Sequence, residues 1–393
     1  MTWQSVGPVS PPPPGPARQP PGRVTHRPAL RLWAFTGIAA VGFLVAALVI
    51  ATYLGAAFGV QTALLALAVA LIPLGIVLPT FLWLDRYEEE PRRLLVAAFL
   101  WGALVAAVVA ATINTSAISV FRSATDADAA LATTAVFVAP VVEEAAKGAF
   151  VVLVWWFARR EFDGVIDGIV YAGVTAAGFA FTENIQYLAT AYVEGGSEAL
   201  TATFVARCLL SPFAHPMFTV LIGVGVGVAA TSRSGAVKVL APLTGYLLAV
   251  LTHALWNFAA LSGASGLLVV YVLVEVPVFL AFVGFVVAAR RREGRLIGRF
   301  LVPYVQAGWL TPAEVAMLSS MSRRREARAW ARAHGGRAAL SSVRDFQDAA
   351  SELALLRRRM EHTPPDAHAV DMERRLLDAL SAGRADLLAR TPA

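Results

Sequence analysis

The sequence predicts an all-α fold: a polytopic membrane protein with about eight transmembrane helices, plus a small helical cytoplasmic module at the C-terminus. Three observations lead there. Of 393 residues, 57% are hydrophobic and only 15% charged, with a mean hydropathy of +0.63, a balance that a soluble domain does not carry. Apolar runs of about 20 residues, the length that crosses a bilayer as a helix, recur along the chain. Arginines gather in alternate loops between those runs, as they do in chains that weave through a membrane.

In order, residues 1–31 carry Pro11-Pro12-Pro13-Pro14 and little that could be buried. A disordered, partly polyproline-II lead is expected there. The apolar run after it is too long for the core of a cleaved signal peptide, so it should stay as an anchor. Residues 32–290 should form the transmembrane domain, with spans near 33–57, 62–84, 94–113, 132–157, 165–190, 201–230, 237–261 and 267–289. Each should be a helix, because a chain in lipid must satisfy its backbone hydrogen bonds internally.

Arg18, Arg23, Arg27 and Arg31 precede the first span, and Arg86, Arg92 and Arg93 follow the second. Arg159 and Arg160, Arg233 and Lys238, and Arg290, Arg291, Arg292 and Arg295 mark the fourth, sixth and eighth; the alternate loops hold little besides Arg122. The positive-inside rule therefore places both termini in the cytoplasm, which requires an even number of spans. The basic tail, 291–393, accounts for the net charge of +6: from Arg290 on there are 19 Arg against 12 Asp and Glu. Such a tail suits anionic headgroups, and no motif for nucleic acid accompanies it. Within it, Thr311-Pro312-Ala313-Glu314 reads as a capping box opening a helix through Met321. Further helical patterns at 342–361 and 369–389 are split by Thr363-Pro364-Pro365. Cys208, the single cysteine, lies in an apolar run and excludes an intrachain disulfide or a thiolate metal cluster.

Function is concentrated in Glu143-Glu144-Ala145-Ala146-Lys147, three ionisable residues inside the fourth span. Each charge near the middle of a membrane helix costs on the order of 2.5–3.5 kcal/mol, and helix formation needs none of them. Lys147 stands at i+4 from Glu143 and i+3 from Glu144, so it reaches either acid but neutralises only one. A local ion pair beside a protonated Glu is the plain structural explanation. Other spans add Phe179, Glu183 and Asn184, then His215, then His253 and Asn257 at i,i+4. From a rise of about 1.5 Å per residue, Glu143 and Glu144 are expected roughly 16–18 Å from the external face, Glu183 and His253 roughly 10–12 Å, and His215 roughly 20 Å. One buried polar cavity, open outward, is the expectation. A Glu in such a cavity suits general-base activation of water, and His and Asn side chains suit stabilisation of an oxyanion. The residue types also suit zinc, with His215, His253 and Glu143 leaving a fourth position open, although no HExxH motif is present.

These motifs, Glu143-Glu144-x-x-Lys147, Phe179-x-x-x-Glu183-Asn184, His215 and His253-x-x-x-Asn257, resemble those of the PrsW-type intramembrane proteases, within the superfamily that includes the CAAX prenyl endopeptidases. The loop Asp85-Arg86-Tyr87-Glu88-x-x-Pro91-Arg92 adds to the resemblance, which covers roughly residues 70–260. It implies an intramembrane peptidase in the plasma membrane of a prokaryote, acting on a single-span membrane protein; in PrsW that substrate is an anti-sigma factor cut on its external side. It further implies that Glu143 activates water with His215, while Glu144 and Lys147 orient the site. His253 and Asn257 would form the oxyanion site, and Phe179, Glu183 and Asn184 would bind substrate. Asn257 departs from relatives that carry Asp there, which weakens a metal-ligand role, and a metal-free glutamic mechanism is the favoured reading over a zinc-dependent one. An ion-coupled transporter or a non-catalytic membrane scaffold are the alternatives. Against the former stands the lack of an internal repeat or paired broken helices.

Overall fold

The computed structural model describes residues 27–84, 90–159, 162, 164–362 and 366–391. The proline-rich start, most of the 85–92 loop and the Thr363-Pro364-Pro365 break lie outside the described residues. The described chain is helical throughout, with no strand among the described residues. Its helices are α1 (Arg27–Phe58), α2 (Val60–Leu84), α3 (Arg92–Leu100), α4 (Ala107–Arg122), α5 (Ala127–Thr133), α6 (Ala139–Phe157) and α7 (Val165–Phe204). There follow α8 (Ala214–Thr231), α9 (Gly235–Leu261), α10 (Gly263–Val270), α11 (Val276–Gln306), α12 (Pro312–Leu318), α13 (Met321–His362) and α14 (Ala367–Arg390). Wide π-helical turns join α3 to α4, α5 to α6 and α10 to α11, and one at Val205–Leu210 continues α7.

Six stretches among the described residues are long and apolar enough to cross a membrane. One of them, Val165–Thr231, contains the fifth and sixth expected segments, and α6 falls outside the set because of its three charges. The outer faces of α1, α2 and α9 expose Leu44, Leu48, Leu64, Leu71, Leu247 and Leu251. Contiguous apolar surface of this kind marks a lipid contact. The chain is an all-α polytopic membrane protein.

The sixth expected segment, 201–230, is not one helix. α7 is broken at Gly195 and Gly196, the latter at φ 62°. The chain turns again at residues 211–213 before α8 begins at Ala214. Pro216 is the reason a helix can start but not continue there: it lacks an N–H, and so fits the first turn. His215 consequently sits at the head of a helix and not in the middle of one.

The chain divides into two compact units, with the division between Val286 and Val287 inside α11. In the membrane unit α7 is the axial helix, its residues from Ile166 to Phe179 all buried. Neighbours approach it through glycine. A Cβ on Gly168 would lie 2.0 Å from the carbonyl oxygen of Gly223 on α8, and one on Gly223 would lie 2.1 Å from that of Gly168. Gly225 and Gly245 make the same close approach between α8 and α9. Small residues let membrane helices touch backbone to backbone, which carries side chains of several helices into one small volume. Gly223→Val is expected to push α7 and α8 apart and destabilise the protein by about 1–3 kcal/mol or more. A lowered thermal midpoint in detergent checks this; an unchanged midpoint would refute the contact.

The C-terminal unit has its own core, including Ile297, Leu301, Leu318, Val343, Phe346 and Leu353. The predicted capping box forms, with Thr311 and Glu314 bonded reciprocally, and Arg384 grips the Glu314 carboxylate with two bonds of 2.8 and 2.9 Å. α12 ends at Leu318, and α13 is far longer than the expected 342–361, running from Met321 with a break at Gly336.

Candidate functional site

α6, α7, α8 and α9 each contribute polar side chains to one buried cluster. Glu144 is its anchor. Its Oε1 accepts from Lys147 Nζ at 2.5 Å and faces His253 Nδ1 at 3.0 Å, while Oε2 accepts from the Thr219 hydroxyl at 2.8 Å. Glu144 and Lys147 are completely buried. A carboxylate satisfied by three donors, one of them an ammonium, is the arrangement that makes a buried charge tolerable.

The other atoms follow from the chemistry of donors and acceptors. Lysine only donates, so His215 Nδ1, 3.3 Å from Lys147 Nζ, is the acceptor. The ring proton of His215 then sits on Nε2, 2.7 Å from Glu183 Oε2. His253 donates from Nδ1 to Glu144, which leaves a lone pair on Nε2, 3.8 Å from Glu143 Oε2. Glu143 Oε1 accepts from Asn114 Nδ2 at 3.2 Å, and Oε2 is buried with no hydrogen-bond partner among the described residues. With Glu143 ionised, two acceptors therefore face each other at the centre of the site. That pair is complementary to a molecule offering two donors, such as water, or to a cation.

Aromatic rings frame the cluster. Phe218 stacks on His253 at 5.1 Å between centroids, and Lys147 Nζ lies 4.5 Å over the ring of Phe179. Phe179 is buried, with its ring 5.4 Å from His215. The Lys147 ammonium thus covers one face of the Phe179 ring, and His215 meets the ring at a tilt of 55°. Glu183 ion-pairs with Arg207 and accepts from His215 Nε2, and Asn184 Oδ1 accepts from Arg207 Nε at 3.0 Å. The Arg207 guanidinium also lies 3.8 Å over the Tyr187 ring. With side-chain exposures of 18% for Glu183 and 22% for Arg207, this is the least covered flank of the cluster.

Asn257 lies beside the cluster on α9. It shares a helix face with His253, but its amide donates to the backbone oxygen of Ala135 at 2.8 Å. It ties α9 to the π-helical turn before α6. The expected depths fail for His215 and Glu183, which touch although counting put them roughly 8–10 Å apart along the membrane normal. The break before α8 is the cause. Asn114, Arg207 and Thr219 were not anticipated. Arg207 had a signal, a guanidinium inside an apolar run; Thr219 had none.

Glu143, His215 and His253 bring one ligand atom each to within 4.8 Å of one another. The set fits zinc by donor type, by the partnerless Glu143 Oε2, and by the Glu144 carboxylate behind His253 Nδ1, which fixes the ring as outer partners of metal-bound histidines do. For His215 to join, its Nε2 must leave Glu183.

Fold and site together define a class: a helical membrane protein organised around a desolvated Glu, His and Lys cluster shared by successive helices. Residues 90–282 match the model of the "PrsW family intramembrane metalloprotease". It is 34% identical over 150 residues to Protease PrsW of Geobacillus kaustophilus, covering 38% of this chain and 60% of that protein. The PrsW protease of Oceanobacillus iheyensis is 33% identical over 109 residues, 28% of this chain and 46% of the relative. That of Clostridioides difficile is 31% identical over 140 residues, 35% and 55% respectively. The chain thus spans about half to three fifths of the length of these relatives. No solved structure matches it.

Proposed function

We propose that this protein is an intramembrane endopeptidase that hydrolyses a peptide bond of a membrane-embedded protein with water activated by Glu143. The observation that carries the reading is the partnerless Glu143 Oε2 set against the free lone pair of His253 Nε2. Glu143 takes a proton from water, and the hydroxide adds to the substrate carbonyl carbon. His253 orients the water through Nε2, while Asn114 holds the other Glu143 oxygen. His215, once its Nε2–H turns from Glu183, is the donor to the tetrahedral oxyanion. Glu143 then returns the proton to the leaving amine. Glu144, Lys147 and Thr219 hold the histidines, and Asn257 positions α9.

The arginine pattern of the loops supports a narrower form, in which both termini are cytoplasmic and a single-span substrate, such as an anti-sigma factor, is cut near the external face. Membrane proteomes of cells carrying wild-type protein or Glu143→Ala test this: the wild type should release an external domain that the variant retains. Equal profiles would sink the proposal.

The second reading is favoured by the three-residue ligand set and by the family's description. Zinc held by Glu143, His215 and His253 would supply Lewis-acid polarisation of water. Under the glutamic reading, 1,10-phenanthroline leaves the cleavage rate of the purified protein unchanged. A rate lost to the chelator and restored by added zinc would replace that mechanism with the metal one.

A further inference from the structure

Glu275 is an acid used neither by the site nor by the packing around it. It lies inside the apolar stretch Ser265–Gln306 and is 5% exposed. Among the described residues it has no hydrogen-bond or ion-pair partner, and no charged group faces it from its own helix or from the segment against it. An ionisable residue in a membrane helix, without a structural use, points to function.

Its position says what kind. Tyr271, Glu275 and Phe279 form one stripe at i,i+4 steps. The Tyr271 hydroxyl donates to the carbonyl oxygen of Leu210 at 2.9 Å, and the Phe279 ring lies 5.6 Å from that of Phe213. These contacts bracket Glu275 over the turn at residues 211–213, whose only hydroxyl, that of Ser211, is already donated to Ala206 at 2.7 Å. His215 is the second residue after the turn, in the first turn of α8.

Without a counter-charge in an apolar seam, the neutral carboxyl is the form the surroundings favour. That form carries an O–H donor and a C=O acceptor side by side, the same pair that a peptide group carries. A transmembrane substrate must unwind before one of its peptide bonds can reach a nucleophile, and each N–H and C=O freed in hydrocarbon is costly. We propose that Glu275 binds an unwound peptide group of the substrate beside the turn that carries His215, donating to its carbonyl oxygen and accepting from its N–H. This rests on the endopeptidase reading above and adds to it a binding site and the backbone state that it selects.

Steady-state cleavage of a single-span reporter in proteoliposomes tests it. Glu275→Leu, an apolar replacement that membrane folding tolerates, should raise KM about tenfold, the worth of one to two hydrogen bonds, with kcat unchanged. Glu275→Gln keeps one donor and one acceptor and should restore the low KM. Binding of the same fluorescent reporter to Glu143→Gln protein, with and without Glu275→Leu, should show the same loss without hydrolysis. If wild-type protein cleaves and Glu275→Leu has the wild-type KM, the inference falls alone. If Glu275→Gln is as impaired as Glu275→Leu, an anionic contact replaces the proposed one. If wild-type protein cleaves nothing, the endopeptidase reading falls and takes this site with it.

Discussion

Glu143→Gln is expected to lower reporter cleavage by about 10²–10⁴-fold, the range that a positioned general base contributes, while leaving the fold intact. The glutamine side chain retains an oxygen to accept from Asn114, so the contact seen at 3.2 Å survives, but it cannot take a proton from water. The separation of chemistry from folding makes this variant sharper than Glu143→Ala. Product formation and thermal unfolding of the same preparation are the measurements. A purified Glu143→Gln protein that cleaves at the wild-type rate would remove Glu143 from the role of base, whatever the histidines do.

Lys147→Met should have the opposite signature, with stability lost along with activity. The ammonium is completely buried between Glu144, His215 and the ring of Phe179. Removing it leaves Glu144 as a buried carboxylate whose remaining donors, His253 and Thr219, are neutral. Breaking one partner of a buried pair costs about 3–5 kcal/mol. Lys147→Met combined with Glu144→Gln should recover a large part of that loss, because the double variant buries no lone charge. The double-mutant cycle should therefore give a coupling of about 1–3 kcal/mol. Strict additivity of the two losses would show that the pair is not what stabilises the centre of the bundle.

The sequence displayed the site more openly than the helix boundaries, for a physical reason. Lipid penalises Glu, Lys and His so heavily that each one inside an apolar run is conspicuous, and Glu143, Glu144, Lys147, Glu183, His215 and His253 do meet in one cluster. Arg207 and Glu275 carried the same signal and were passed over as parts of long hydrophobic segments. The break at Gly195 and Gly196 and the turn before α8 were not legible, since composition stays apolar across both and periodicity cannot reveal where a chain reverses. The i,i+4 spacing of His253 and Asn257 correctly puts them on one face. It says nothing about reach, and the Asn257 amide finds the Ala135 carbonyl first. In the tail, the Arg- and Ala-rich residues between Met321 and Gly336 lack a clear apolar stripe, so the first half of α13 escaped notice.

The glycine contacts have a consequence for the lipid around the protein. With backbone on backbone at Gly168 and Gly223, and again at Gly225 and Gly245, α7, α8 and α9 have no cushion of side chains that could compress or slide. Bilayers of longer or shorter acyl chains impose a hydrophobic mismatch that helices relieve by tilting. That tilt should be taken up by α1 and α2, whose outer surfaces are free to shear against lipid, while the interior trio moves as one block and holds its carboxylates and imidazoles in register.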